Sequence, residues 1–109
     1  MEACRIGILL RAPGVVDVGA PMKHKHLCYD MLKDARSVIA ATEDHFFSDG
    51  VTKITLVMDM TGRVDVAAPL PPRQIAYRML ADARDVIERF NDEKAPEMRA
   101  FSDVVMGEG

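Results

Sequence analysis

An internal repeat narrows the possible folds of this chain more than any other property. Residues 62–87, GRVDVAAPLPPRQIAYRMLADARDVI, restate residues 14–39, GVVDVGAPMKHKHLCYDMLKDARSVI, after a shift of 48 positions. Aligned without a gap, Arg5–Ile39 and Lys53–Ile87 agree at 15 of 35 positions, where unrelated chains of ordinary composition would share about two. A supersecondary unit that occurs twice cannot bury its apolar face alone and buries it against its copy.

Within each copy the hydrophobic period changes from two to 3.6. Residues 4–11 alternate, with Cys4, Ile6, Ile8 and Leu10 on one side and Arg5, Gly7, Leu9 and Arg11 on the other, as a half-buried strand does. Pro13-Gly14 predicts a tight turn into a return strand at 15–18. Gly19-Ala20-Pro21 then ends the hairpin and opens a helix, about 23–44. Its apolar arc contains Leu27, Cys28, Met31, Leu32, Ala35, Val38, Ile39 and Thr42, and is expected to cover its own hairpin.

The connection 45–50 holds Phe46 and Phe47, expected to pin the crossover to the core. The second copy reads as strand 51–60, turn Thr61-Gly62, strand 63–66 and a helix about 73–91. The core arc of that helix is Ile75, Met79, Leu80, Ala83, Val86, Ile87 and Phe90.

These units predict one α+β domain over residues 1–109, with repeat 1 at about 4–46, repeat 2 at about 51–92 and a C-terminal appendage at 93–109. The tandem ββα-ββα repeat is expected to form a four-stranded antiparallel sheet of order 2-1-3-4, with both helices on one face. The other face is then bare. It carries Arg5, Gly7, Leu9, Arg11, Asp17, Lys53, Thr55, Val57, Asp59, Arg63 and Asp65.

The net charge of −3 conceals a pattern: residues 1–29, 30–50, 51–80 and 81–109 carry +2, −3, +2 and −4. Strands and helix starts are basic and helix ends acidic, and such local fields choose partners more than the total does. The two cysteines form no disulfide framework, and no run resembles a signal peptide or a membrane span. The expectation is a soluble, cytoplasmic protein with reduced thiols, no membrane partner and no cofactor.

Four constellations could carry function. The bare sheet face could hold single-stranded nucleic acid along Arg5, Arg11, Lys53 and Arg63, or serve as a homodimer contact through Leu9, Val15 and Val57. The lack of aromatic rings there argues against base stacking. The helix starts add Lys23 and Lys25 in repeat 1 and Arg73 in repeat 2. Cations at that end oppose the helix dipole, which points to phosphate binding rather than local stability, although a solvated basic turn has the same composition.

His24 and Cys28, four apart, could share a metal ion, but two ligands make no site, so no metal is expected. The repeated Tyr-x-Met-Leu-x-Asp-Ala-Arg segment, 29–36 and 77–84, is either an aromatic and guanidinium pair for a base or partner peptide, or a structural device. In the second case Asp34 would pair with Arg84 and Asp82 with Arg36. There is no Gly-rich phosphate loop and no nucleophile with a matching base, and Asp17 and Asp65 suit hairpin geometry, so no catalysis is expected.

In layout, a tandem of hairpin-rich repeats each closed by a helix resembles the single-strand-binding PUR and Whirly domains over residues 5–90, although those place four strands in each repeat where this chain has two. The resemblance implies nucleic-acid binding and transfers no residue. The leading expectation is a non-catalytic homodimer that binds single-stranded DNA or RNA through Arg5, Arg11, Lys23, Lys25, Lys53, Arg63 and Arg73. The alternative is a small adaptor or inhibitor of another protein, using the bare face or the acidic helix ends, similar in kind to phage-encoded accessory proteins.

Overall fold

The structure, a computed structural model, describes residues 2–90. The elements run β1 (Glu2–Arg11), β2 (Val15–Gly19), α1 (Lys25–Ala41), a single 3-10 turn (Asp44–Phe46), β3 (Lys53–Asp59), β4 (Val64–Val66) and α2 (Arg73–Arg89). The sheet is antiparallel with order β2-β1-β3-β4, so the fold is α+β as expected. The appendage 93–109 and the last residues of repeat 2 lie outside the described residues.

Each hairpin closes where the turn chemistry places it. Gly14 (φ +129°) donates its N–H to Arg11 O at 2.6 Å, and Gly62 (φ +90°) donates to Asp59 O at 3.0 Å. Positive φ is inexpensive only without a Cβ. Asp59 Oδ1 secures the second turn by accepting from Thr61 N–H, Thr61 Oγ1–H and Arg63 N–H. Those donors, the Thr61 side chain foremost, hold the Asp59 carboxyl below the ordinary aspartate range.

Register decides the two faces of the sheet. In the central pair Ile6 lies opposite Leu56, Gly7 opposite Thr55 and Ile8 opposite Ile54, so positions 7 and 55, counterparts in the sequence repeat, face each other. Ile6, Ile8, Ile54, Leu56, Val16 and Val64 are buried on the helix side. From the helices, Cys28, Met31, Leu32, Ala35 and Ile39 meet Ala76, Met79, Leu80, Ala83 and Ile87. Ala35 and Ala83 are fully buried, and their small side chains let the helices approach. Apart from Leu70 and Pro71, every buried apolar residue has a buried counterpart 48 positions away.

Four expectations are corrected. Each helix packs chiefly over the hairpin of the other repeat: α1 over β3 and β4, α2 over β1 and β2. Since β2 is an edge strand, the link 20–24 carries the chain across the sheet before α1 begins. Helix α1 is also shorter than 23–44. Thr42 is extended, with its hydroxyl donating to Val38 O at 2.6 Å, and Asp44–Phe46 form the separate 3-10 turn.

Only Phe47 of the two phenylalanines packs on the core. It bridges in parallel to Leu70, and Phe46 stays exposed against His45. Ile75, expected in the core, is 40% exposed at the flank of α2, and the neighbouring Ala76 is buried instead.

Candidate functional site

The uncovered face of the sheet is built from the odd-numbered positions of its central strands. Its middle is apolar or small: Gly7, Thr55 and Val57 are half-buried and Leu9 is 41% exposed, while Val15, 59% exposed, lies on the edge strand opposite Arg11. The corners carry charges that largely answer one another. Arg11 Nη1 lies 2.6 Å from Asp17 Oδ2, and Arg63 Nε 3.5 Å from Asp65 Oδ1, all well exposed. Hydrogen bonding to Asp17 raises the Arg11 pKa further above its ordinary value. Arg5 and Lys53, counterparts in the repeat, both lie exposed on this face, Lys53 directly opposite Leu9 and Arg5 opposite Val57. Among the described residues no acidic group pairs with Lys53.

The helix starts do structural work that dipole reasoning within one helix missed. Lys25 Nζ donates to Glu88 O at 3.0 Å and to Phe90 O at 2.5 Å, the carbonyl end of α2. Arg73, its counterpart, donates to Thr42 O at 2.6 Å and Ile39 O at 3.5 Å, the carbonyl end of α1, and its Nη1 meets Asp44 Oδ1 at 3.0 Å. Its guanidinium also lies 4.4 Å from the centre of the Phe47 ring. The helices therefore run antiparallel, and each cation at one N-terminus serves the negative end of the neighbouring helix, where charge and dipole agree. Lys23 lies exposed in the loop before α1.

The repeated Tyr–Arg segment meets across the helix pair, with the partners changed. Arg84 lies 4.0 Å from the centre of the Tyr29 ring and Arg36 lies 4.1 Å from that of Tyr77, within cation–π range. The expected pairs, Asp34 with Arg84 and Asp82 with Arg36, do not form. Asp82 instead lines clefts beside the first hairpin turn.

Between the helices runs a shallow groove lined by Tyr29, Leu32, Lys33, Arg36, Tyr77, Leu80, Ala81 and Arg84. Lys33 falls on an unspecified position of the motif, yet positions 29, 32, 33 and 36 form one helical stripe.

Cys28 is buried with its Sγ 3.5 Å from Pro21 O, and burial, with Cys4 secondary, pushes its thiol pKa up. A thiol in that setting is a poor nucleophile. Among the described residues no group of three or more His, Cys, Asp or Glu side chains is placed to hold a metal ion, and no helix is long and apolar enough to cross a membrane. No family model, curated protein or solved structure matches this chain.

Proposed function

We propose that the protein is a non-catalytic adaptor that works as a homodimer, with the uncovered sheet face as the contact between copies. The observation that carries this reading is the pattern of that face. An antiparallel sheet with one face in water ordinarily presents polar side chains outward, and here Gly7, Leu9, Val15 and Val57 stand among the outward charges. Arg11 and Asp17 at one corner, and Arg63 and Asp65 at the other, already pair on their own surface. A second copy can then cover Leu9 and Val57 with the charged ends of Lys53, opposite Leu9, and Arg5, opposite Val57, kept in water at its rim.

Of the seven cations considered for nucleic acid, Arg11 and Arg63 have carboxylate partners and Lys25 and Arg73 close helix ends. That leaves less positive field on the face than its composition suggests.

Light scattering at micromolar concentration tests the dimer. The account expects a mass twice 12.1 kDa, and a return to the monomer for the double variant Leu9→Thr, Val57→Thr, which keeps β propensity while removing the apolar middle. A native chain that scatters as a monomer contradicts it.

A second reading, single-stranded nucleic-acid binding, draws on Arg5 and Lys53. Their repeat-related places on one face set them about 14 Å apart, from strand rise and spacing, on a surface that could track a polyanion. A mobility shift over a salt series decides it. Steep salt dependence that is lost in Arg5→Ala with Lys53→Ala supports nucleic acid, and no shift at low salt removes it.

A further inference from the structure

We propose that the groove between α1 and α2 binds an acidic segment of a partner protein, with Arg36, Arg84 and Lys33 receiving its carboxylates. The proposal deepens the adaptor reading by giving it a second surface, distinct from the sheet face.

Charge is the first argument. The groove is lined by three cations and no carboxylate, and among the described residues none of the three makes an ion pair. Two clefts beside the first hairpin turn mix signs: Asp82 and Asp85 accompany Arg89 in one, and Asp82 accompanies Arg78 in the other. Like charges gathered without a counter-ion attract an anionic ligand.

Geometry is the second. Each guanidinium lies against a tyrosine of the opposite helix, at 4.1 and 4.0 Å. Contact with the ring holds each guanidinium in place and leaves its N–H donors, which in arginine form a fork matched to carboxylate. Neither Arg36 nor Arg84 donates a side-chain hydrogen bond to any described residue. Buried Leu32 and Leu80 form the floor, so a segment that alternates acidic and aliphatic side chains suits both rim and floor.

Size and ring coverage decide between anion sources. The groove encloses about 180 Å³, well below the roughly 300–1,000 Å³ of sites that enclose a whole small-molecule ligand. One or two side chains fit. An arginine lies over one face of each tyrosine ring, so that face is not open to stack a base.

The chain carries its own reporter, since Tyr29 and Tyr77 are its only tyrosines and it has no tryptophan. The probe is a synthetic peptide with glutamates four apart, leucines between them and no aromatic residue, titrated into the full chain while tyrosine emission is followed. A saturable change is expected. Ala81→Glu, an exposed position on the rim, should weaken binding about tenfold, the worth of one nearby charge at intermediate dielectric. The thermal midpoint and scattering mass should stay as they were. Ala81→Lys, which restores the symmetry with Lys33, should tighten binding.

No change in emission at millimolar peptide, or the same affinity in Ala81→Glu, overturns the proposal. A single-stranded oligonucleotide that gives the saturable change at lower concentration than the peptide also overturns it. Leu9→Thr with Val57→Thr separates this proposal from the homodimer: peptide binding that persists in a monomer leaves the groove standing, and a native dimer with silent tyrosines leaves only the sheet face.

Discussion

Arg84 stacks on Tyr29, and Arg36 on Tyr77, because a guanidinium one helix away finds an aromatic face at van der Waals distance and no carboxylate on that side of the pair. The expectation of Asp–Arg pairs recognised that the motif meets itself across the repeat but chose the wrong partner. Helical spacing fixes the flank on which a side chain lies and leaves open which neighbour faces it. A double-mutant cycle between Tyr29→Leu and Arg84→Met should give a coupling energy of about 0.5–1 kcal/mol, the range of a partly exposed cation–π pair. A cycle between Asp34→Ala and Arg84→Met should give a coupling near zero. Coupling in the second and none in the first would contradict the assignment.

At the level of elements, strands and helices were legible because period and turn chemistry agree. Ile6, Ile8, Ile54 and Leu56 lie on the buried side of the alternation, and Gly14 and Gly62 turn where the backbone needs positive φ. The ends of helices were less legible, because their partners lie in the other repeat. Lys25 and Arg73 look unfavourable beside their own helix dipoles, and each closes the carbonyl end of the helix alongside.

Arg73→Ala should therefore destabilise the fold by about 2 kcal/mol, combining charged hydrogen bonds with the dipole contribution. Lys25→Ala should cost about 1 kcal/mol, since it lacks the Phe47 and Asp44 contacts. Urea unfolding monitored by circular dichroism measures both. Equal stability of Arg73→Ala and the native chain would refute the capping role. Ile75 shows a different limit: an arc drawn on a wheel treats its margin as core, whereas Ile75 at that margin is 40% exposed and Ala76 beside it is buried.

Across the described residues, the two layers are joined by helices that cross to the hairpin of the other repeat. Helix α1 lies over β3 and β4 and α2 over β1 and β2, so both halves share one core. That crossing was not legible in the sequence, since a helix covering its own hairpin and one covering its neighbour's require the same apolar arc. The bare sheet face was legible, down to the outward Leu9 and Val57. The partial neutralisation of its positive field by Arg11–Asp17 and Arg63–Asp65 pairing was not, because segment charges record composition rather than which charges neutralise each other.

What remains on that face is an apolar middle flanked by Arg5 and Lys53. The most direct measurement is an isotope-filtered nuclear Overhauser experiment on an equal mixture of methyl-labelled and unlabelled chains. The account predicts intermolecular contacts from Leu9, Val15 and Val57, and none from Leu32 or Leu80. Intermolecular contacts confined to the helix side, or absent at concentrations where light scattering is read, would contradict it.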